Sequence, residues 1–369
     1  MRLRRAVQNA ALAAGSIGVM ALCLEATFRI VVPASDYPRL AHGTEVVRYE
    51  PNQTGYYRIR DEIAAPYAIN AQGWNSGHAT YDAPKPPGAR RVAIIGDSFV
   101  EAFQVPAARS LAEQLERLPG RFPVEAFRIA ISGAPFSHYL WMVEREAPRY
   151  RPDAVVVNLV HNDFDESYRP GGRYASSFQT LRADDAGIAG FAPPLPYHGS
   201  LSDVLIRSAT LRYLRFDRQV TLSALLAALP TIERKPASEG GPAARKSPGY
   251  DGNIDVARVM ERPNLLEAAI DAMVARFAAL CRGQGVPGLL LMDGVRQAVY
   301  EDRDSAVLAI NRLVAAAAAR HGVDLVDLHP RFQEAWRRDH ARFDHLHDGH
   351  WNERGHAVAA QAIRDWLDR

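Results

Sequence analysis

The stretch that most constrains the fold is Val92-Ala93-Ile94-Ile95 running into Gly96-Asp97-Ser98-Phe99. An apolar, β-branched run of this length reads as a strand buried on both faces, the hallmark of a parallel sheet. It stops at a glycine that permits a tight turn, followed by two residues that favour turns and helix N-caps. A helix is predicted from about Ser110 to Leu118, after the break at Pro106. A strand ending in such a turn puts Ser98 at the carboxyl edge of a sheet, where open α/β folds place their ligands. Ser98 is then either an exposed nucleophile or the N-cap of a βα loop.

The same alternation continues. Val124 to Ile131 reads as a second strand ending in Ser132-Gly133-Ala134-Pro135, with a helix from His138 to Tyr150. Ala154 to Val160 is a third strand, ending in His161-Asn162-Asp163. Later, Asn264 to Arg282 has helical apolar spacing behind an Asn cap. Val286 to Met292 is a fourth strand, Ser305 to His321 a helix, Val323 to Leu328 a fifth strand, and Glu353 to Leu367 a final amphipathic helix. Strands alternating with helices predict an α/β fold: a three-layer α/β/α sandwich around a parallel sheet of about five strands.

Two regions fall outside this pattern. At the amino end, Arg2, Arg4 and Arg5 precede an apolar run from Ala10 to Leu24, with Phe28 to Val32 beyond Glu25. With its flanks the run approaches the ~20 residues of a membrane span, and the preceding charges keep its start in the cytoplasm. An uncleaved anchor is favoured over a cleaved signal peptide, because no small-x-small site follows the apolar core. From Asp165 to about Pro263 the periodicity is lost. Arg207 to Leu229 has room for one or two helices, and Ile232 to Asp255 is rich in Lys, Pro, Gly and Ser. So long an irregular stretch reads as an insertion over the carboxyl edge of the sheet. The expected organisation is an anchor or signal segment at 1–33, an irregular linker-like region at 34–90, and a main domain at 91–369 carrying an insertion at 165–263.

Composition narrows the function. Net charge is +2 with arginines dispersed along the chain, which gives no case for nucleic-acid binding. The only cysteines, Cys23 and Cys281, do not suggest a disulfide framework. Neither a CxxC nor an HExxH motif occurs, so no metal site is indicated, and no cofactor.

Three strand ends offer Ser98, Gly133 and Asn162 in turn. Acyl transfer through a serine needs a nucleophile, a base and donors for the developing oxyanion. The N–H groups of Ser98 and Gly133 and the Asn162 amide meet the donor requirement. Asp348-Gly349-His350, just before the last helix, supplies a histidine and an acid to orient it. Asp97 is expected to order its loop through backbone hydrogen bonds, and His356 to be structural.

These blocks resemble the SGNH, or GDSL-type, hydrolase family: Gly96-Asp97-Ser98, Gly133 after a strand, His161-Asn162-Asp163 after the next, and Asp348-Gly349-His350-Trp351-Asn352 with Gly355-His356 behind. The similarity covers roughly 91–164 and 286–369. There are two departures. The family commonly has Asp three residues before the catalytic His, a position held here by His347; Asp348 lies two before, as in membrane-anchored relatives similar to the alginate O-acetyltransferase branch. Asp344 and His347 form a rival pair. The second departure is His161, where the family often has Gly. The resemblance implies a serine esterase with Ser98 as nucleophile, His350 as base, Asp348 orienting it, and Gly133 and Asn162 in the oxyanion hole. It further implies an acylated cell-envelope glycan as substrate and a place on the periplasmic side of the inner membrane, held by the N-terminal helix. An O-acyltransferase using the same residues, or an inactive SGNH binding module, are the alternatives.

Overall fold

The computed structural model describes residues 2–171, 174–184, 187–218, 220, 250–251 and 254–369. Five parallel strands make the central sheet. Numbering all strands in chain order, β1 (Thr54–Ile59) and β2 (Ile63–Ala68) form an antiparallel hairpin before it. β3 (Arg90–Gly96), β4 (Val124–Ala130) and β5 (Ala154–Leu159) are its first three strands. β6 (Thr180–Asp184) with β7 (Gly187–Ala192), and β8 (Tyr250–Asp251) with β9 (Ile254–Asp255), are short hairpins of the insertion. β10 (Gly288–Met292) and β11 (Asp324–Asp327) complete the sheet, whose order is β11-β10-β5-β3-β4.

Each strand alternates its apolar residues between two cores, because successive side chains point to opposite faces. Val92, Ile94, Val156, Leu289 and Leu291 pack on one side with the helices Leu111–Arg117, Leu328–Asp339 and Glu353–Leu367. Ala93, Ile95, Val155, Val157 and Leu290 pack on the other with Phe136–Arg145, Pro263–Gln284 and Leu308–His321. The result is the expected three-layer sandwich. The chain leaves β3 for β4 on one side and returns to β5 on the other, so the order of strands reverses between β3 and β5. Open α/β sheets form their ligand crevices at the carboxyl end of such a reversal.

The elements depart from expectation in places. Residues 34–90, expected as an irregular linker, carry the β1–β2 hairpin and bury Tyr49, Trp74 and Tyr81 in the core. The helix expected at His138 to Tyr150 is an α-helix at Phe136–Arg145 followed by a 3-10 turn, Ala147–Tyr150. The helix at Pro263–Gln284 starts with Pro263 in its first turn and no side-chain cap, rather than behind an Asn cap. Within the expected insertion helices, Ala209–Arg212 is helical and Tyr213–Asp217 is a π-turn; residues 221–229 lie outside the described residues, as does most of 232–255. At the amino end the helix Arg2–Ala26 continues into a π-turn, and Arg4–Val31 is long and apolar enough to cross a membrane, with none of it buried.

Candidate active site

The turn after β3 is built to expose Ser98. A Cβ on Gly96 would meet Val100 Cγ2 at 2.5 Å, so only glycine lets the chain fold back this closely over its own strand. Asp97 then caps a single helical turn, Ser98–Glu101: its Oδ1 accepts the Phe99 N–H at 3.0 Å. Asp97 orders the loop through the backbone, as expected from sequence. Its burial pushes the carboxyl up to about 6. Ser98, at the start of that turn, is half-buried.

The loop before the last helix brings His350 to it. Ser98 Oγ and His350 Nε2 are 2.7 Å apart across 252 residues of chain. His350 Nδ1 pairs with Asp348 Oδ1, which also accepts the His350 backbone N–H at 2.9 Å. With Nδ1 facing a carboxylate, the proton sits on Nδ1 and Nε2 is free to accept from the serine hydroxyl. Asp348 is buried, which shields this pair from water.

The loop is held from several sides. Trp351 Nε1 donates to Asp293 Oδ1 at 3.1 Å, and Asp293 also holds the Arg296 guanidinium. Arg296 donates to the Gly349 carbonyl at 2.8 Å and lies over the Phe99 ring, 5.2 Å from its centroid. One buried arginine thus links the serine turn to the histidine loop. Glu62, in the β1–β2 turn, accepts the Leu346 N–H, the His347 N–H at 2.9 Å and His347 Nδ1 at 2.8 Å. His347 is therefore turned toward Glu62. Asp344 instead receives Tyr300 Oη at 3.0 Å and Arg342 Nε at 3.1 Å, so the rival Asp344–His347 pair does not form.

Gly133 and Asn162 follow β4 and β5, the two strands that flank β3 in the sheet. Gly133 has φ +75 with open space where a side chain would be. Asn162 precedes the helical turn Asp163–Glu166 without making a side-chain cap to it, which leaves its amide available. The structure thus joins Ser98, His350 and Asp348 by hydrogen bonds and sets Gly133 and Asn162 on neighbouring strand ends. His161 turns inward to Asn311, at 2.9 Å, and is buried, so the departure from glycine there is absorbed by the core. His356 is also buried, and burial lowers it to about 3.

Sequence reasoning missed Glu62, Glu101, Tyr174, Asp293 and Arg296. Asp293 had a signal: it follows an apolar strand with Asp-Gly, as Asp97 follows one with Gly-Asp. The others reach the site through contacts with residues far away in the chain, and no local pattern marks them. Among the described residues, no group of three or more His, Cys, Asp or Glu side chains is arranged to hold a metal ion.

A five-stranded parallel sheet with this strand reversal and helices on both faces is a three-layer α/β/α fold, and a serine, a histidine and an aspartate meet at its carboxyl edge. The chain belongs to the GDSL-like Lipase/Acylhydrolase family, whose model matches residues 94–358. Solved structures with some similarity include an α/β hydrolase enzyme from the metagenome of Lake Arreo, Spain, at 16% identity and TM-score 0.39, covering 78% of this chain and 99% of that one. A lipase/acylhydrolase from Enterococcus faecalis is 12% identical at TM-score 0.39, covering 76% and 95%. An acetylxylan esterase from Geobacillus stearothermophilus, as a catalytic mutant, is 12% identical at TM-score 0.39, covering 76% and 94%. No curated protein matches the sequence.

Proposed function

We propose that the protein is a serine esterase that cleaves carboxylic esters through an acyl-enzyme on Ser98. The observation that carries the reading is the 2.7 Å contact between Ser98 Oγ and His350 Nε2, with the other ring nitrogen held by Asp348. Ser98 Oγ attacks the acyl carbonyl carbon as its proton passes to His350 Nε2. The carbonyl oxygen becomes an oxyanion, held by the Ser98 and Gly133 N–H groups and the Asn162 amide. Each such donor is typically worth about 2.7–4 kcal/mol of barrier. Collapse expels the alcohol, which takes the proton from His350. Water then enters and attacks the acyl carbon as it gives a proton to the same nitrogen; the bond from that carbon to Ser98 Oγ breaks, His350 returns the proton to Oγ, and the acid leaves.

The substrate class we favour is an O-acyl group on a cell-envelope glycan. The N-terminal apolar helix supports this, since as an anchor it would hold the domain at a membrane surface on the periplasmic side. The test is direct. Ser98→Ala abolishes turnover of p-nitrophenyl acetate, and a fluorophosphonate labels Ser98 in the unaltered chain. Undiminished turnover by the variant removes the proposal. A panel of acetylated glycans, assayed with and without a sugar acceptor, then separates hydrolysis from acyl transfer.

A further inference from the structure

The Gly133 N–H belongs to the peptide Ser132–Gly133, and that peptide has two ways to face. Ala134 N–H donates to the Ile131 carbonyl at 3.2 Å, closing a four-residue turn with Ser132 and Gly133 at its centre. Gly133 has φ +75 and Ser132 is not in the positive-φ region, which makes this a type II turn. Types I and II differ by a flip of the central peptide. Because N–H and C=O of a trans peptide point in opposite directions, the flip exchanges which of them faces a given side. Glycine tolerates either form, and nothing lies within 4 Å of where its Cβ would be, so local sterics do not choose.

A residue of the insertion does. Tyr174 Oη donates to the Ser132 carbonyl at 2.7 Å. The ring is buried, packed against Phe178 at 5.4 Å and Tyr197 at 6.3 Å between centroids. The other end of Ser132 is fixed by Glu101, which accepts its N–H at 3.3 Å and its hydroxyl. Glu101 closes the helical turn that begins at Ser98. Nucleophile and turn are therefore tied to one carboxylate, while Tyr174 holds the carbonyl of the peptide between them.

We propose that Tyr174 is a positioning residue that locks the Ser132–Gly133 peptide in the orientation that offers its N–H to the reacting oxygen. A flip would break the Tyr174 bond and turn a carbonyl dipole where the N–H had been. Donation to the carbonyl also polarises the amide, so the N–H at its other end is a stronger donor. This rests on the reading of Ser98 as nucleophile and the Gly133 N–H as oxyanion donor. It gives the insertion a chemical role.

The experiment compares the full-length chain with Tyr174→Phe, which removes the hydroxyl and keeps the ring. Kinetics are measured on p-nitrophenyl acetate, together with affinity for an alkyl boronic acid, whose adduct on Ser98 places an oxygen where the oxyanion forms. Loss of a whole oxyanion donor costs about a hundred- to a thousandfold in kcat, so a misoriented one should cost on the order of tenfold. The expected result is that kcat falls by about that factor, KM stays nearly constant, and boronate affinity falls in proportion to kcat. Ser132→Ala cuts the hydroxyl anchor to Glu101 without touching Tyr174, and should show a smaller loss with the same pairing of kcat and boronate affinity. Unchanged kcat in Tyr174→Phe overturns the proposal, as does a loss of kcat with boronate affinity unaltered. Failure of the underlying reading shows separately: a wild-type chain that a fluorophosphonate does not label at Ser98 overturns both.

Discussion

Two carboxylates near Ser98 do different work because their surroundings differ. Asp348 faces an imidazole and keeps its partner nitrogen protonated. Asp348→Asn preserves shape but lets the ring adopt the wrong tautomer. We expect kcat to fall by roughly 10⁴, as loss of this carboxylate does in a Ser-His-Asp site, with little change in KM; a loss under tenfold would assign the role to another acid. Glu101 faces hydroxyls and a backbone N–H, and burial pushes it from 4.5 up to about 7. The folded chain thus binds its proton more tightly than the unfolded chain does. Its contribution to stability is full below pH 4.5 and is lost as pH rises through about 7. Glu101→Gln escapes this loss. Its melting temperature relative to the unaltered chain should climb between those limits, by the equivalent of at most roughly 3 kcal/mol. A difference that stays flat with pH would mean that Glu101 is charged throughout.

At the scale of elements, the histidine loop is held as a unit by the start of the last helix. Asn352 caps that helix through Oδ1, accepting the Arg354 N–H at 3.0 Å and the Gly355 N–H at 3.1 Å. Its amide nitrogen donates to the carbonyls of Arg342 and Asp344, at 3.0 and 3.2 Å. Asn352→Ala loses both sets. A cap alone is worth about 0.5–2 kcal/mol, so chemical denaturation should show a loss at the upper end of that range, with lowered kcat because the loop carries His350. The parts of this arrangement legible in the sequence are those whose chemistry is local. The strand into Gly96-Asp97-Ser98 and the Asp348-to-Asn352 run ahead of a helix both announce themselves. Elements that depend on distant partners do not. Ile63–Ala68 alternates buried and exposed residues, yet Ala64, Ala65 and Pro66 are weak strand formers whose pairing with Thr54–Ile59 decides the matter. The helix Leu328–Asp339 hides behind Pro330, which reads as a breaker but sits in the first turn, where its missing N–H has no partner to lose. Tyr174 acts on a carbonyl 42 residues away, and a backbone acceptor leaves no mark in composition.

Across the whole molecule, the apolar N-terminal helix and the insertion meet, among the described residues, around Glu25 and Phe28. Glu25 accepts the N–H groups of Ala209 and Thr210 at 2.8 and 3.1 Å and the Ser208 hydroxyl at 2.8 Å. Phe28 stacks on Tyr213 with centroids 4.1 Å apart. Before Glu25 the helix has no such attachment among the described residues, and Leu12, Ile17 and Leu22 are each more than 60% exposed. A row of apolar side chains this bare is costly in water and favourable in lipid. The domain does not draw its stability from that part of the chain, whereas it does use Glu25 and Phe28. Removing residues 1–24 should therefore leave the melting temperature within a few degrees and kcat on p-nitrophenyl acetate unchanged, while abolishing co-sedimentation with lipid vesicles. Glu25→Ala in the full chain should do the reverse, retaining vesicle binding and loosening the insertion, which limited proteolysis would report as faster cleavage near Arg207. If the trimmed chain fails to fold, or still sediments with vesicles, the division between a lipid-facing helix and a self-sufficient domain does not hold.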